Sequence, residues 1–458
     1  MKERSEMEQL VHHVCCCKHA QIPESARQKS RLRMLDVLGC AFGGAYASGN
    51  QELLKLLRQK SGPQKATVWV YGGELAMEDA ALMNSVLCRS YDFEVMTPAH
   101  LYAAVIPTAI AVGEAMQRTE EDVLDAIVLA TDLCARVVQA SGMDAPKGFD
   151  PAGTSTLLGT ITAAGRLMEL NEKELLYAYG HGLNMMCGSF ENMWAGATSF
   201  KFNQGWAAWC GIFATKLARI GWTAPTDPLL GRAGYYKLYT SGGCAAPEHL
   251  TCALGSEFYD LVIHKPYPSC RFNHSAIQCA LALRRDYLFQ IDSVKSICIS
   301  LPAWQTGLFV CAPFEPGEAF PEGSALFNMR FNTACALIHG EVKPHLFTPQ
   351  FILEPAVAAL CEKVIIQPLP QGDKCQGRME IILQGGQRIG TQLEQVKGDV
   401  PGDPMTREEF EQKFWYNLDF NGRVPCEQGK LLLTLCETGR TQTELGEILQ
   451  AMVCRPFC

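Results

Sequence analysis

Ser90-Tyr91-Asp92-Phe93-Glu94-Val95-Met96-Thr97-Pro98-Ala99-His100-Leu101-Tyr102-Ala103-Ala104-Val105-Ile106-Pro107 places two acids, a threonine and a histidine between two apolar runs. The preceding run, Ala80 to Leu87, and the following one, Thr108 to Ala115, are mostly small and apolar, the composition of helices packed inside a large core. Titratable groups held between such helices lose part of their hydration, and that loss shifts pKa values toward catalytic use. The plain alternative is local: His100 caps the following helix and Asp92 ends the preceding one.

A chain of 458 residues, 48% of them hydrophobic, can bury more than one core. Its formal charge of -8 argues against a nucleic-acid or anionic-membrane partner. No apolar run approaches the roughly 20 residues that cross a bilayer, and Met1 to Glu6 leads into a polar helix rather than a signal sequence. A cytoplasmic, globular protein is expected. The 21 cysteines are scattered through apolar segments, as at Cys40, Cys88, Cys134, Cys187, Cys210 and Cys335, and read as reduced core residues. Cys15-Cys16-Cys17 with His12, His13 and His19 looks like a metal tract, but three consecutive helical residues point in three directions, and Cys454 with Cys458 offers no better spacing. No Gly-rich phosphate loop follows a strand, so neither a metal nor an organic cofactor is expected.

From Glu6 to about Asp260 helical patterns follow one another, interrupted by a short β-like run at Lys65 to Gly73. After Leu261, strand-like alternation enters at Ser293 to Leu301 and Gly377 to Leu383, and helical patterning returns at Met405. The expected fold is mainly α, a large all-helical domain (1–262 and 405–458) with an inserted smaller α/β lid domain (263–404) over the active cleft. Asp36, inside an apolar helix, calls for a buried cation, and an arginine is expected. Asp150 precedes Pro151 in the place of an N-cap. Lys201 lies among aromatic and small residues, where a solvated lysine is less expected. In Ile263 to Ile277 two prolines stiffen the approach to a helix, and Lys265, Arg271 and His274 set donors near its N-terminus, where an anion is favoured. His274 could equally serve as a helix cap.

Five ordered motifs resemble the MmgE/PrpD family. Arg33 to Gly44 resembles its Leu-Asp-Thr-Leu-Gly signature, and Asp92, Phe93, Glu94, His100 and Pro107 fit in order its acidic loop, Asp-Phe-Asp-Asp-Thr followed by His-Pro-Ser. Val95-Met96-Thr97 stands where the family has Asp-Thr, and Leu101-Tyr102 where it has Pro-Ser. Gly148 to Pro151 resembles Gly-Phe-His-Pro with Asp150 in the histidine's place; Lys201 to Ala208 resembles Lys-x-x-His-x-Gly-x-Ala-Ala with Asn203 near the histidine. Lys265 to His274 resembles Lys-Pro-Tyr-Pro-x-Cys-Arg-x-x-His almost position for position.

The resemblance implies a cofactor-free homodimer acting on a small polycarboxylate by removal of a proton beside a carboxylate. Within it, His100 would be the base or acid and Asp92 would fix its orientation, while Lys201, Lys265 and Arg271 would hold carboxylates and stabilise the enediolate. Thr97, Tyr102, Asp150, Asn203, Cys270 and His274 would complete the substrate-binding set. The first expectation is a hydro-lyase for a 2-hydroxy di- or tricarboxylate of the 2-methylcitrate type. A cis-aconitate-type decarboxylase is an alternative. So is an epimerase or isomerase for an amino- or imino-dicarboxylate, in which Asp150 would partner a substrate cation. The last is an inactive, binding-only homologue, since the histidines near 150 and 203 are replaced.

Overall fold

A computed structural model describes residues 4–454 except 60, 61, 63, 98, 99, 142–147, 261, 318–320, 401 and 437–444. Cys458, and Pro98 and Ala99 of the loop, therefore lie outside the described residues. The chain is 57% helical with two small sheets, as the helical periodicity predicts. Several helices open on reciprocal capping pairs, Ser5 with Glu8, Thr119 with Asp122, Asn171 with Glu174 and Thr406 with Glu409, which satisfy the otherwise orphaned first-turn N–H groups.

One core is built by the helices Glu24–Gly43, Met77–Arg89, Tyr102–Ala115, Glu120–Ala140, Ser155–Leu167 and Phe202–Arg219. Their small residues let backbones approach closely. A Cβ on Gly44, for example, would collide with the Leu87 carbonyl, so only glycine lets the end of Glu24–Gly43 seat on Met77–Arg89. The β-like run forms β1 (Lys65–Thr67), which pairs antiparallel with β2 (Glu74–Ala76).

The second core lies under a four-stranded sheet of β3 (Val294–Leu301), β4 (Val364–Pro368), β5 (Gly377–Leu383) and β6 (Arg388–Leu393), ordered β4-β3-β5-β6. β3 pairs parallel with β4 and antiparallel with β5, and β5 pairs antiparallel with β6. The helix His274–Asp286 packs on β5, β6 and the helix Met329–His339. After this sheet come the helices Arg407–Asn421, Cys426–Leu435 and Leu445–Ala451. Their Phe414, Leu418, Leu432, Leu435, Ile448 and Met452 are buried in the first core with the N-terminal helices. Main-chain bonds from Val70 N to Met452 O (2.8 Å) and from Cys454 N to Val70 O (3.1 Å) fasten the end of the chain there.

The acidic loop runs along the seam between the two cores. Tyr91 and Phe93 pack into the second, Val95 and Leu101 into the first. Met96 and Ile263 exchange backbone bonds of 2.9 and 2.7 Å, and His264 N donates to Gly398 O at 2.9 Å, so three distant segments meet beside the loop. Gly398 has φ +100°, and a Cβ there would strike the His264 carbonyl. The predicted cation at Asp36 is a lysine rather than an arginine: Lys413 Nζ lies 2.7 Å from Asp36 Oδ1 and donates to Phe93 O at 2.6 Å, while Val95 N donates to Asp36 Oδ2 at 2.6 Å. Asp36 and Lys413 thus clamp the loop between the helices Glu24–Gly43 and Arg407–Asn421. Among the described residues no helix is long and apolar enough to cross a membrane.

Both members of the Asp36–Lys413 pair are buried, so removing one leaves an uncompensated charge. Lys413→Met should cost about 3–5 kcal/mol in urea unfolding, and Asp36→Leu combined with Lys413→Met should cost less than the single change because no charge is orphaned. A Lys413→Met protein within about 1 kcal/mol of the parent would contradict the clamp.

Candidate active site

The helix Met77–Arg89 delivers Arg89 to the mouth of the loop, and the chain then turns sharply, with Asp92 N donating to Arg89 O at 3.0 Å. Asp92 and His100 have φ of +48° and +52°, conformations that non-glycine residues adopt rarely and that here aim both side chains inward. Thr97 shapes the second turn: its carbonyl accepts from His100 N (3.0 Å) and its Oγ1 from Leu101 N (3.4 Å).

The side chains so aimed form one buried ionic network. Asp92 Oδ1 is held by Arg89 Nη1 and by Lys265 Nζ, the latter at 2.5 Å. Glu94 Oε1 lies 3.5 Å from Arg89 Nη1 and 3.0 Å from His100 Nδ1, whereas Asp92 is 3.8 Å from that nitrogen. Glu94, not Asp92, is therefore the group that orients His100. Asp92 is already engaged by two cations. The side chains of Arg89, Asp92, Glu94 and Lys265 are at most 1% exposed, and that of His100 is 16% exposed, so the imidazole is the member of the network that opens outward.

The electrostatics follow. Burial opposes ionisation of Glu94, but the Arg89 charge and the His100 hydrogen bond outweigh it and hold the carboxyl at about 2. Burial, reinforced by Arg89, pushes His100 down to about 3 against the pull of Glu94. At neutral pH an ionised Glu94 thus faces a neutral imidazole, which must donate from Nδ1 and so carries its lone pair on Nε2. Burial, with repulsion from Arg89, also drives the Lys265 amine well below its ordinary range despite the Glu94 charge.

The remaining predicted residues divide. Asp150 accepts from Asn203 Nδ2 (2.8 Å) and, as an N-cap, from Ala152 N (3.0 Å); burial raises its pKa against both bonds, and the Arg89 charge reaches it. Lys201 turns away from the network and donates to Ser48 O at 2.6 Å. Burial lowers Lys201 to about 7, opposed by Glu322 and Glu52. Its neighbour Phe200 nevertheless underlies the Arg89 guanidinium, 5.4 Å from ring centre to Cζ. Tyr102 does not join the network: its hydroxyl meets Asp260 Oδ1 at 3.3 Å and its ring lies beneath Arg33, because the first turn of its helix faces Glu24–Gly43. Arg271 is spent on the carbonyls of Val396 and Lys397, the Asp399 carboxylate and His274 Nδ1. His274 uses its other nitrogen on Ser269 O (3.2 Å), so Arg271 and His274 brace the loop 396–399 rather than present free donors. Cys270 is buried beside them, its thiol raised by burial and lowered in part by Lys265.

Asp92, Glu94 and His100 offer three ligand-type atoms within 4.8 Å of one another, yet Arg89 and Lys265 already supply the positive charge a metal ion would bring. Arg89 is the member of this network that the sequence reading does not name, and Glu94 is given no role there. The signal for Arg89 is weak, a lone arginine at the end of an apolar helix immediately before the acidic loop.

Comparison with known proteins gives the family and its relatives. The MmgE/PrpD N-terminal domain matches residues 8–247 and the MmgE/PrpD C-terminal domain matches residues 267–431. The chain is 22% identical over 435 residues, 89% of each chain, to the cis-aconitate decarboxylase-like protein oryM of Aspergillus oryzae. It is also 24% identical over 282 residues to a cis-aconitate decarboxylase of Aspergillus terreus, spanning 58% of this chain and 57% of that one.

Lys201 gives a test of the burial argument. Its folded pKa of about 7 lies below the ordinary 10.5, so between these values the unfolded chain binds the extra proton and its contribution makes stability rise with pH. Urea unfolding between pH 7.5 and 10 should show this slope, up to about 1.4 kcal/mol per pH unit, and Lys201→Met should remove it. Identical slopes in the two proteins would contradict the assignment.

Proposed function

This chain belongs to the MmgE/PrpD family, and we propose that it is a lyase acting on a small polycarboxylate, with decarboxylation of a cis-aconitate-type substrate as its reaction. The observation that carries the reading is the buried network of Arg89, Asp92, Glu94, His100 and Lys265 at the seam between the two cores. The cis-aconitate decarboxylases among its relatives supply the choice of reaction.

At rest the imidazole is neutral and its basicity is suppressed by burial and, next, by the positive field of Arg89. An arriving carboxylate that pairs with Arg89 or Lys265 offsets that positive field and raises the imidazole pKa, so substrate binding itself makes Nε2 a competent base. His100 then moves a proton at the carbon next to a carboxylate. Lys265, placed 2.5 Å from Asp92 Oδ1, would stabilise the enediolate charge. Loss of a carboxylate as carbon dioxide leaves a carbanion equivalent; the proton held by His100 returns to carbon and one more is taken from solvent, a net uptake of one proton per carbon dioxide. The 263–404 unit carries Lys265 and would act as the lid. Arg89 and Lys265 occupy the electrophilic role, so no metal or organic cofactor is needed on this reading, and activity should survive EDTA.

A second reading, dehydration of a hydroxy acid of the 2-methylcitrate type, draws support from Asp150. Its carboxyl is fixed by Asn203 Nδ2 and Ala152 N, and burial raises its pKa, the direction a general acid needs. The reactions differ in proton balance. Decarboxylation of a tricarboxylate to a dicarboxylate consumes one proton per carbon dioxide released, whereas dehydration consumes none. A pH-stat assay on cis-aconitate and 2-methylcitrate side by side, with carbon dioxide stripped by gas flow before it hydrates, should show acid-consuming titration of cis-aconitate, that is, acid must be added to hold pH. Acid demand absent on cis-aconitate, with an alkene formed from 2-methylcitrate, would favour the second reading; turnover of neither would overturn both.

His100→Ala should lower turnover by the roughly 10²–10⁴-fold typical of a lost general acid-base, with little change in unfolding midpoint. Wild-type rates in this variant would remove His100 from the mechanism. Asp150→His should preserve or improve action on a tricarboxylate, because an imidazole tolerates a nearby substrate carboxylate better than a second carboxyl group does. Abolished turnover in that variant would instead favour a substrate bearing a cation.

A further inference from the structure

The cysteine tract near the N-terminus resolves differently from its sequence pattern. On the helix Glu6–Cys16 the three thiols diverge as expected: Cys15 Sγ donates to Leu170 O at 3.4 Å and Cys17 Sγ points to Lys18 O. Cys16 stays outward, one turn beyond His12 on the same helix face, with its Sγ 3.4 Å from His12 Nδ1. A third side chain joins them from far along the sequence. Glu172, in the first turn of the helix Glu172–Leu183, brings Oε1 to 2.7 Å from His12 Nδ1 and 3.7 Å from Cys16 Sγ.

We propose that His12, Cys16 and Glu172 form a binding site for a zinc-class divalent ion, which ties the N-terminal helix to Glu172–Leu183. A tetrahedral ion with a sulfur at about 2.3 Å and nitrogen and oxygen at about 2.0–2.2 Å holds its ligands about 3.3–3.7 Å apart. The two sulfur separations already match, and the imidazole and carboxylate need to part by about half an ångström to admit the ion. One thiolate, one imidazole and one carboxylate make a mixed set that suits zinc, or cobalt as its probe, better than calcium or magnesium. The fourth position faces solvent, since the His12 and Glu172 side chains are 46% and 42% exposed, and water would fill it.

The ligands are held in place before any ion arrives. Arg166 donates to the carbonyls of Val14, Cys15 and Cys17 at 3.2, 2.9 and 2.8 Å and so fixes the end of the first helix against its neighbours. Asn171 caps the helix that carries Glu172. Arg4 lies 3.4 Å from the other oxygen, Glu172 Oε2, where it can remain as an outer partner that orients a ligating carboxylate. None of the three ligands belongs to the His100 network, so the inference is independent of the proposed reaction.

The test uses the full chain after chelator treatment, titrated with cobalt(II) and then zinc(II). One equivalent of cobalt should produce a near-ultraviolet sulfur-to-metal charge-transfer band and visible bands of a four-coordinate ion, both erased by zinc. Cys16→Ser should lose the charge-transfer band, and His12→Ala and Glu172→Gln should each weaken binding by about tenfold or more. Cys15→Ser and Cys17→Ser should bind like the parent. Zinc should raise the melting temperature of the parent and leave that of the Cys16→Ser protein unmoved. A band that persists in Cys16→Ser, or no thiolate band in the parent, would overturn the proposal.

Discussion

Two cations, Arg89 and Lys265, share one carboxylate oxygen of Asp92 inside a region closed to water. Much of the rest of the structure is arranged around that constraint. Arg89 ends a helix of the first core, and Lys265 stands at the entry to the segment that builds the second, so a single carboxylate couples the two halves electrostatically. Burying charges is costly unless each is paired, and the clustering of Glu94, Asp36 and Lys413 around the same loop meets that demand. The left-handed backbone at Asp92 and His100 is the local cost of aiming acid and imidazole into the seam.

Charge balance then gives the site its chemistry. With Glu94 ionised and His100 neutral, the pair holds one tautomer and leaves the imidazole lone pair on Nε2. On the proposed reading a polyanionic substrate would change that balance, since it would compete with Asp92 and Glu94 for Arg89 and Lys265. The same competition would loosen the coupling between the halves, because the groups that hold them together are those a carboxylate would recruit.

Where the sequence was legible, a local signal existed. Helical periodicity and the alternation in Val294–Leu301 and Gly377–Leu383 are short-range patterns, and the structure has helices and strands there. The partner of Asp36 was not legible as to residue, because Lys413 comes from the far end of the chain and any buried cation would satisfy the aspartate. The acidic loop showed two carboxylates near His100, but which one meets the imidazole depends on the turn at Asp92, whose positive φ no composition rule predicts. Tyr102 lies apart from the network for a related reason: adjacent to the loop in sequence, it is already in the helix, whose phase points it at Arg33 and Asp260. In the cysteine tract the sequence could not show Glu172, which reaches His12 and Cys16 from another helix.

The account stands most directly on the state of His100. Histidine labelled with nitrogen-15 and followed by NMR against pH reports both charge and tautomer of the imidazole. The predicted result is a neutral ring protonated on Nδ1 from pH 8 down to about 4, titrating near 3, with the tautomer preference lost in Glu94→Gln. A midpoint near the ordinary value of about 6.5, or a neutral ring protonated on Nε2, would contradict it.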